Sequence, residues 1–214
     1  METNADYWDD FVLTNLPDSY KKWFEEEKKY LLKHLAKDSS VLEVGCGNGR
    51  SIFDILSITK NITGIDHDQK AVDDAKKNFS KYPNINFLKA DATKLPFDDK
   101  SFDFVICMTT FANFADKKFI ILDEMKRVLK NSGHIIISVF SEDAFDERMK
   151  VYKASGVNIK KIDGTTVIFD EALGDNVSEQ FSKEQLENIF SRANLTIEDI
   201  TKINIAYLCK LKKK

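Results

Sequence analysis

Three of the eight glycines fall within five residues, Gly45-Cys46-Gly47-Asn48-Gly49, directly after the short apolar run from Val41. Glycine at such a turn permits backbone dihedrals closed to other residues and removes the Cβ that would hold a ligand off the main chain. Glu43 stands two residues ahead of the first glycine. Asp66 closes a second apolar run, about 20 residues after the turn, where a carboxylate suits a pair of ribose hydroxyls. Asp91 closes a third. The cluster reads as a cradle for a nucleoside-bearing ligand, against the plainer reading of a tight strand-to-helix turn. A dinucleotide fingerprint, G-x-G-x-x-G, needs its third glycine at position 50, and Arg50 stands there. That disfavours an NAD-dependent oxidoreductase, although the Asp66 feature alone suits one equally well.

The elements that must position these residues alternate in kind. Asp18 to Ala36 reads as an amphipathic helix with Tyr20, Trp23, Phe24, Leu31 and Leu35 on one face and Asp18 as N-cap. Strands are expected at Val41–Gly45, Asn61–Asp66, Asn84–Asp91, Phe102–Met108 and His134–Phe140. Helices are expected from Asp68 to Phe79, with Ala71, Val72, Ala75 and Phe79 inward, and from Asp116 to Lys130. Strands two, four and five show no polar alternation, as burial on both faces requires. The pattern implies an α/β doubly wound, Rossmann-like, mostly parallel sheet of seven strands with helices on both faces. After Phe140 the period ends. Ser141 to Phe181 reads as an inserted segment with a charged helix and a hairpin at Asp163-Gly164. A last helix, Ser182 to Ala193, leads to strands near Ile197–Ile203 and Ala206–Leu211.

At 214 residues one domain is the default. It divides into an N-terminal helical cap (1–38), a ligand-binding core (39–140), the inserted lid segment (141–181), and the last helix with two strands (182–214). Hydrophobic residues make up 43% and charged residues 31%, which excludes collagen-like and disordered classes. The net charge of −3 argues against a dedicated binder of nucleic-acid backbones. No apolar run approaches the ~18 residues of a membrane span, and the opening METNADYWDD has no signal-peptide character. Cys46, Cys107 and Cys209 lie far apart and the three histidines are dispersed, so neither a metal site nor a disulfide framework is expected. A cytoplasmic protein fits this cysteine usage. The basic tail Lys210-Leu211-Lys212-Lys213-Lys214 reads as a solvated end.

VLEVGCGNGR resembles the first motif of the class I S-adenosylmethionine-dependent methyltransferases, hydrophobic-x-E-x-G-x-G-x-G. ITGIDHD is similar to the second motif, and FLKADATKLPFDDKSFDFVIC to the third- and fourth-strand region of the small-molecule branch. EMKRVLKNSGHIIISVF is similar to the family's helix and fifth strand, with Asn131-Ser132-Gly133 where Pro-Gly-Gly is common. The similarity runs from Ser39 to Phe140 in the family's order.

The resemblance implies S-adenosyl-L-methionine as cofactor, S-adenosyl-L-homocysteine as its product, and a role for each matching residue. Gly45, Cys46 and Gly47 would admit the methionine portion, with Glu43 beneath the turn holding amides or a water near its ammonium. Asp66 would take the ribose diol, and His67, following the position that borders the adenine, would stack on it where an apolar residue is more usual. Asp91 would accept from the adenine amino group while the Ala92 N–H donates to the ring; a solvated strand-end carboxylate is the alternative for Asp91. The Met108 carbonyl would face the ammonium. Methyl transfer from a sulfonium needs alignment and exclusion of water more than acid–base groups, so no catalytic residue is assigned.

The segment after the fourth strand lacks the N-P-P-Y and Pro-Cys sequences of amide, adenine and cytosine methyltransferases. There Phe111, Asn113 and Phe114 fit either an apolar pocket with one polar group or the packing of a helix start. Tyr7, Trp8 and Phe11 fit either a roof over the cofactor or a plain aromatic cluster. The expected activity is methyl transfer to a small-molecule acceptor by a monomer or homodimer without membrane contact. The alternatives are a protein or RNA substrate and a catalytically silent cofactor-binding protein.

Overall fold

The computed structural model describes residues 16–170 and 176–214. Tyr7, Trp8 and Phe11 lie outside them.

Helix α1 (Asp18–His34) precedes strand β1 (Val41–Val44), and β1 runs through the glycine turn into the short helix α2 (Arg50–Ile55). Then follow β2 (Ile62–Asp66), α3 (Gln69–Asn78), β3 (Ile85–Lys89), β4 (Phe102–Met108), α4 (Lys118–Val128) and β5 (Leu129–Phe140). The inserted segment holds α5 (Phe145–Ser155) and strands β6 (Ile159–Asp163), β7 (Thr166–Phe169) and β8 (Val177–Ser178). The chain closes with α6 (Lys183–Arg192), β9 (Leu195–Ile203) and β10 (Ala206–Lys213).

Seven strands form one sheet in the order β3-β2-β1-β4-β5-β10-β9. The first five pair in parallel, and β10 runs antiparallel to both β5 and β9. This is the expected doubly wound sheet. The order reverses at β1 and β4, which places a crevice beyond their carboxyl ends. Strands β1 and β4 are apolar almost throughout because helices cover both faces.

The helix expected at Asp116–Lys130 spans Lys118–Val128 and the strand expected at Asn84–Asp91 spans Ile85–Lys89; three further differences bear on the architecture. Pro17, not Asp18, caps α1: its ring fixes a φ of −58°, no side chain caps the helix, and Asp18 lies in the first turn. Strand β5 begins at Leu129, so Asn131-Ser132-Gly133 lies inside it. Its register with β4 jumps from Phe102 opposite Leu129 to Phe104 opposite His134, so the polar residues between Leu129 and His134 bulge out of that ladder. The hairpin at Gly164 is joined by β8 to form a separate three-stranded antiparallel sheet.

Helix α1 packs Tyr20, Trp23, Tyr30 and Leu31 inward. The Trp23 indole N–H donates to the Ser138 hydroxyl of β5 at 2.7 Å, which satisfies two polar groups in the core. In the inserted segment Arg148 of α5 is fully buried. Its guanidinium donates to the Thr165 carbonyl at 3.1 Å, to Gln180 Oε1 at 2.7 Å and to the Ser178 carbonyl. One side chain thus ties α5 to the hairpin turn before β7 and to β8.

Candidate functional site

An open cleft at the carboxyl ends of β1, β2 and β4 encloses about 1020 Å³, including its mouth. The glycine turn forms its floor. At Gly47 the space where a Cβ would sit holds no protein atom within 4 Å, so the main chain is open to a ligand there. Gly45 has a different reason. With φ at +76°, a Cβ would run into the Thr110 side chain, whose hydroxyl donates to the Gly45 carbonyl at 3.0 Å. Its glycine admits a neighbouring loop rather than a ligand.

Asp66 closes β2 with both carboxylate oxygens engaged. Oδ2 accepts from the Gly47 N–H at 3.0 Å, and Oδ1 accepts from the Asp68 N–H at 3.0 Å, with His67 Nδ1 at 3.3 Å. Burial works to raise the carboxyl's pKa, but His67 and the two backbone donors outweigh it and hold it below the ordinary value. The exposed His67 is in turn raised by its bond to Asp66.

Glu43 is 1% exposed. Oε1 accepts from the Ser51 hydroxyl, while Oε2 has no partner. Burial pushes its carboxyl up to about 8, although Ser51 and Arg50 pull the other way and Glu27 and Asp66 add to the rise. Arg50 donates from Nη2 to Glu27 Oε1 of α1 at 2.6 Å and lies 4.0 Å from the Phe24 ring centre. At the far wall Met108 ends β4. Thr109 follows with a positive φ of 65°, strained for a β-branched residue, and its hydroxyl donates to the Met108 carbonyl at 2.6 Å.

Of the residues singled out in the sequence, Glu43, Gly45, Cys46, Gly47, Asp66, His67, Met108, Asn113 and Phe114 line this cleft. Asp91 and Ala92 do not. Asp91 is exposed and accepts from the Thr93 N–H and hydroxyl, both at 2.8 Å. Phe111 is wholly buried against Phe114, Phe181 and Phe190, so it is core. The Asn113 amide donates to the Val177 carbonyl at 2.7 Å and so fastens the inserted segment to the rim. Arg50, Phe24 and Thr110 line the cleft without having been expected there. Glu27, which holds Arg50, left one trace in the sequence: a charge on the apolar stripe of α1.

Residues 42–137 match the family model of a methyltransferase domain. Protein MJ1123 of Methanocaldococcus jannaschii is 32% identical over 146 residues, covering 64% of this chain and 65% of that protein. Demethylmenaquinone methyltransferase of Staphylococcus haemolyticus is 31% identical over 137 residues, covering 60% of this chain and 57% of its own. The chain thus spans less than two thirds of the length of these relatives. The solved structure of protein PH0226 from Pyrococcus horikoshii superposes with a TM-score of 0.76 at 25% identity, over 98% of this chain and 99% of that one. The sheet order, the glycine turn at its switch point and these matches define a class of protein. Over residues 42–137 the chain is similar to methyltransferase domains, and its fold resembles that of the class I S-adenosylmethionine-dependent methyltransferases.

Proposed function

We propose that the protein binds S-adenosyl-L-methionine in the cleft and transfers its methyl group to a small-molecule acceptor. The observation that carries this reading is the floor of the cleft, where an open Gly47 lies between a held carboxylate, Asp66, and a buried carboxyl, Glu43, with one oxygen unpartnered. Buried polar atoms are nearly always paired, so an orphan oxygen beside an open backbone fits a ligand carrying a cation. The cofactor supplies a methyl group on a sulfonium, which is already activated toward a nucleophile.

The chain's own residues bind and orient. Asp66, fixed by two backbone N–H groups, would accept the ribose hydroxyls without reorganising. His67 would border the base, and Glu43 would take the ammonium. The Met108 carbonyl already accepts the Thr109 hydroxyl, which makes Glu43 the better acceptor of the two. Phe24, Phe114 and the Asn113–Val177 link would exclude water and hold the acceptor in line.

A small-molecule acceptor is supported by the relative that methylates demethylmenaquinone. The test is transfer of labelled methyl from S-adenosylmethionine to a metabolite panel, a protein extract and total RNA. Label is expected in a small molecule; label confined to protein or RNA would refute the substrate class.

A further inference from the structure

Three buried polar atoms near one end of the cleft have no partner: Glu27 Oε2, Glu43 Oε2 and Arg50 Nη1. They belong to one cluster. Arg50 and Glu43 both line the cleft, Ser51 next to Arg50 donates to Glu43, and Arg50 donates to Glu27. A guanidinium orphan and a carboxyl orphan on one wall match a ligand that brings an acceptor and a donor on neighbouring groups, as an α-amino acid does. Arg50 is the one lysine or arginine lining the cleft among the described residues.

We propose that Arg50 anchors the carboxylate at the amino-acid end of the cofactor, with Glu27 of α1 positioning its guanidinium. The inference rests on the function proposed above. The guanidinium is restrained before any ligand arrives, by Glu27 at 2.6 Å and by the Phe24 ring at 4.0 Å. A planar fork with five donors can serve Glu27 and still present N–H groups to a second carboxylate. Glu27 does not line the cleft, so its part is positioning. The N-terminal helix thereby takes part in cofactor binding through a charge pair as well as through packing.

The experiment compares S-adenosylhomocysteine with its decarboxylated analogue by calorimetry on the full chain, with no acceptor present. Any effect of the carboxylate then belongs to the cofactor site. Wild type is expected to bind the carboxylate-bearing ligand about ten- to a hundredfold more tightly. Arg50→Met alone would strand Glu27 in the interior, so Glu27→Gln/Arg50→Met removes both charges together. In that variant the ratio should approach one, while affinity for the decarboxylated ligand stays near wild type. Glu27→Gln alone should lower the ratio without touching the decarboxylated ligand, which loss of packing would not do.

A wild-type ratio near one overturns the proposal, and this result needs no variant to fold. A large ratio that persists in the double variant overturns it too, because backbone N–H groups would then hold the carboxylate. If wild type binds neither ligand, the proposed function falls and the Arg50 assignment with it, a result distinct from the other two.

Discussion

Glu43 within β1 and Asp66 at the end of β2 are both carboxyls beside the glycine turn, yet their surroundings push them in opposite directions. Asp66 sits in the reach of two backbone N–H groups and is held ionised; Glu43 sits in the interior with one hydroxyl partner and is held protonated up to about 8. A carboxyl that binds its proton more tightly folded than unfolded stabilises the fold below its unfolded pKa. That stabilisation is lost as pH rises through the folded value. Relative to Glu43→Gln, wild type should therefore lose up to ~1.4 kcal/mol per pH unit between the ordinary 4.5 and about 8, and little beyond. Urea unfolding of both proteins across that range checks it; parallel profiles would show that Glu43 is ionised throughout. Asp66→Ala should weaken S-adenosylhomocysteine binding about ten- to a hundredfold by calorimetry. It should also cost about 1–3 kcal/mol of stability without ligand, since the Gly47 and Asp68 N–H groups lose their acceptor. Both carboxyls were readable from spacing, Glu43 two residues ahead of the first glycine of the turn and Asp66 at the end of the next apolar strand. Arg50 was readable only as a missing glycine, since its partner Glu27 lies on another helix, 23 residues away in sequence.

The elements were largely legible where periodicity is strong. The five parallel strands and α3 stand within a few residues of expectation because continuous apolar runs have no other way to be buried. Local polarity hid the rest. After Leu129, β5 opens on Lys-Asn-Ser, and β8 has two residues, too few to show a period. Arg148 looked like one charge among many in a charged helix, yet it lies on the inward face with Val151 and Tyr152. Its only hydrogen-bond acceptors among the described residues are neutral, so its loss strands acceptors rather than a counter-charge. Arg148→Met should cost several kcal/mol, at about 1–3 kcal/mol per buried acceptor left unpaired. The damage should concentrate in residues 141–181. Hydrogen exchange should show faster exchange there than in β1 and β4; uniform loosening would mean that the inserted segment and the sheet unfold as one.

For the whole molecule, the sheet sets a switch point between β1 and β4, the glycine turn opens the backbone there, and α1 with the inserted segment supplies the walls. Each part was fixed by burial or by turn chemistry before any ligand is considered. Their convergence on one cleft supports the reading of an S-adenosylmethionine site. The most direct test is ligand-induced stability. Saturating S-adenosylhomocysteine, at about 100 times its dissociation constant, should stabilise the folded chain by roughly 2.7 kcal/mol in urea unfolding, and NAD should leave it unchanged. Stabilisation by NAD with none from S-adenosylhomocysteine would contradict the account.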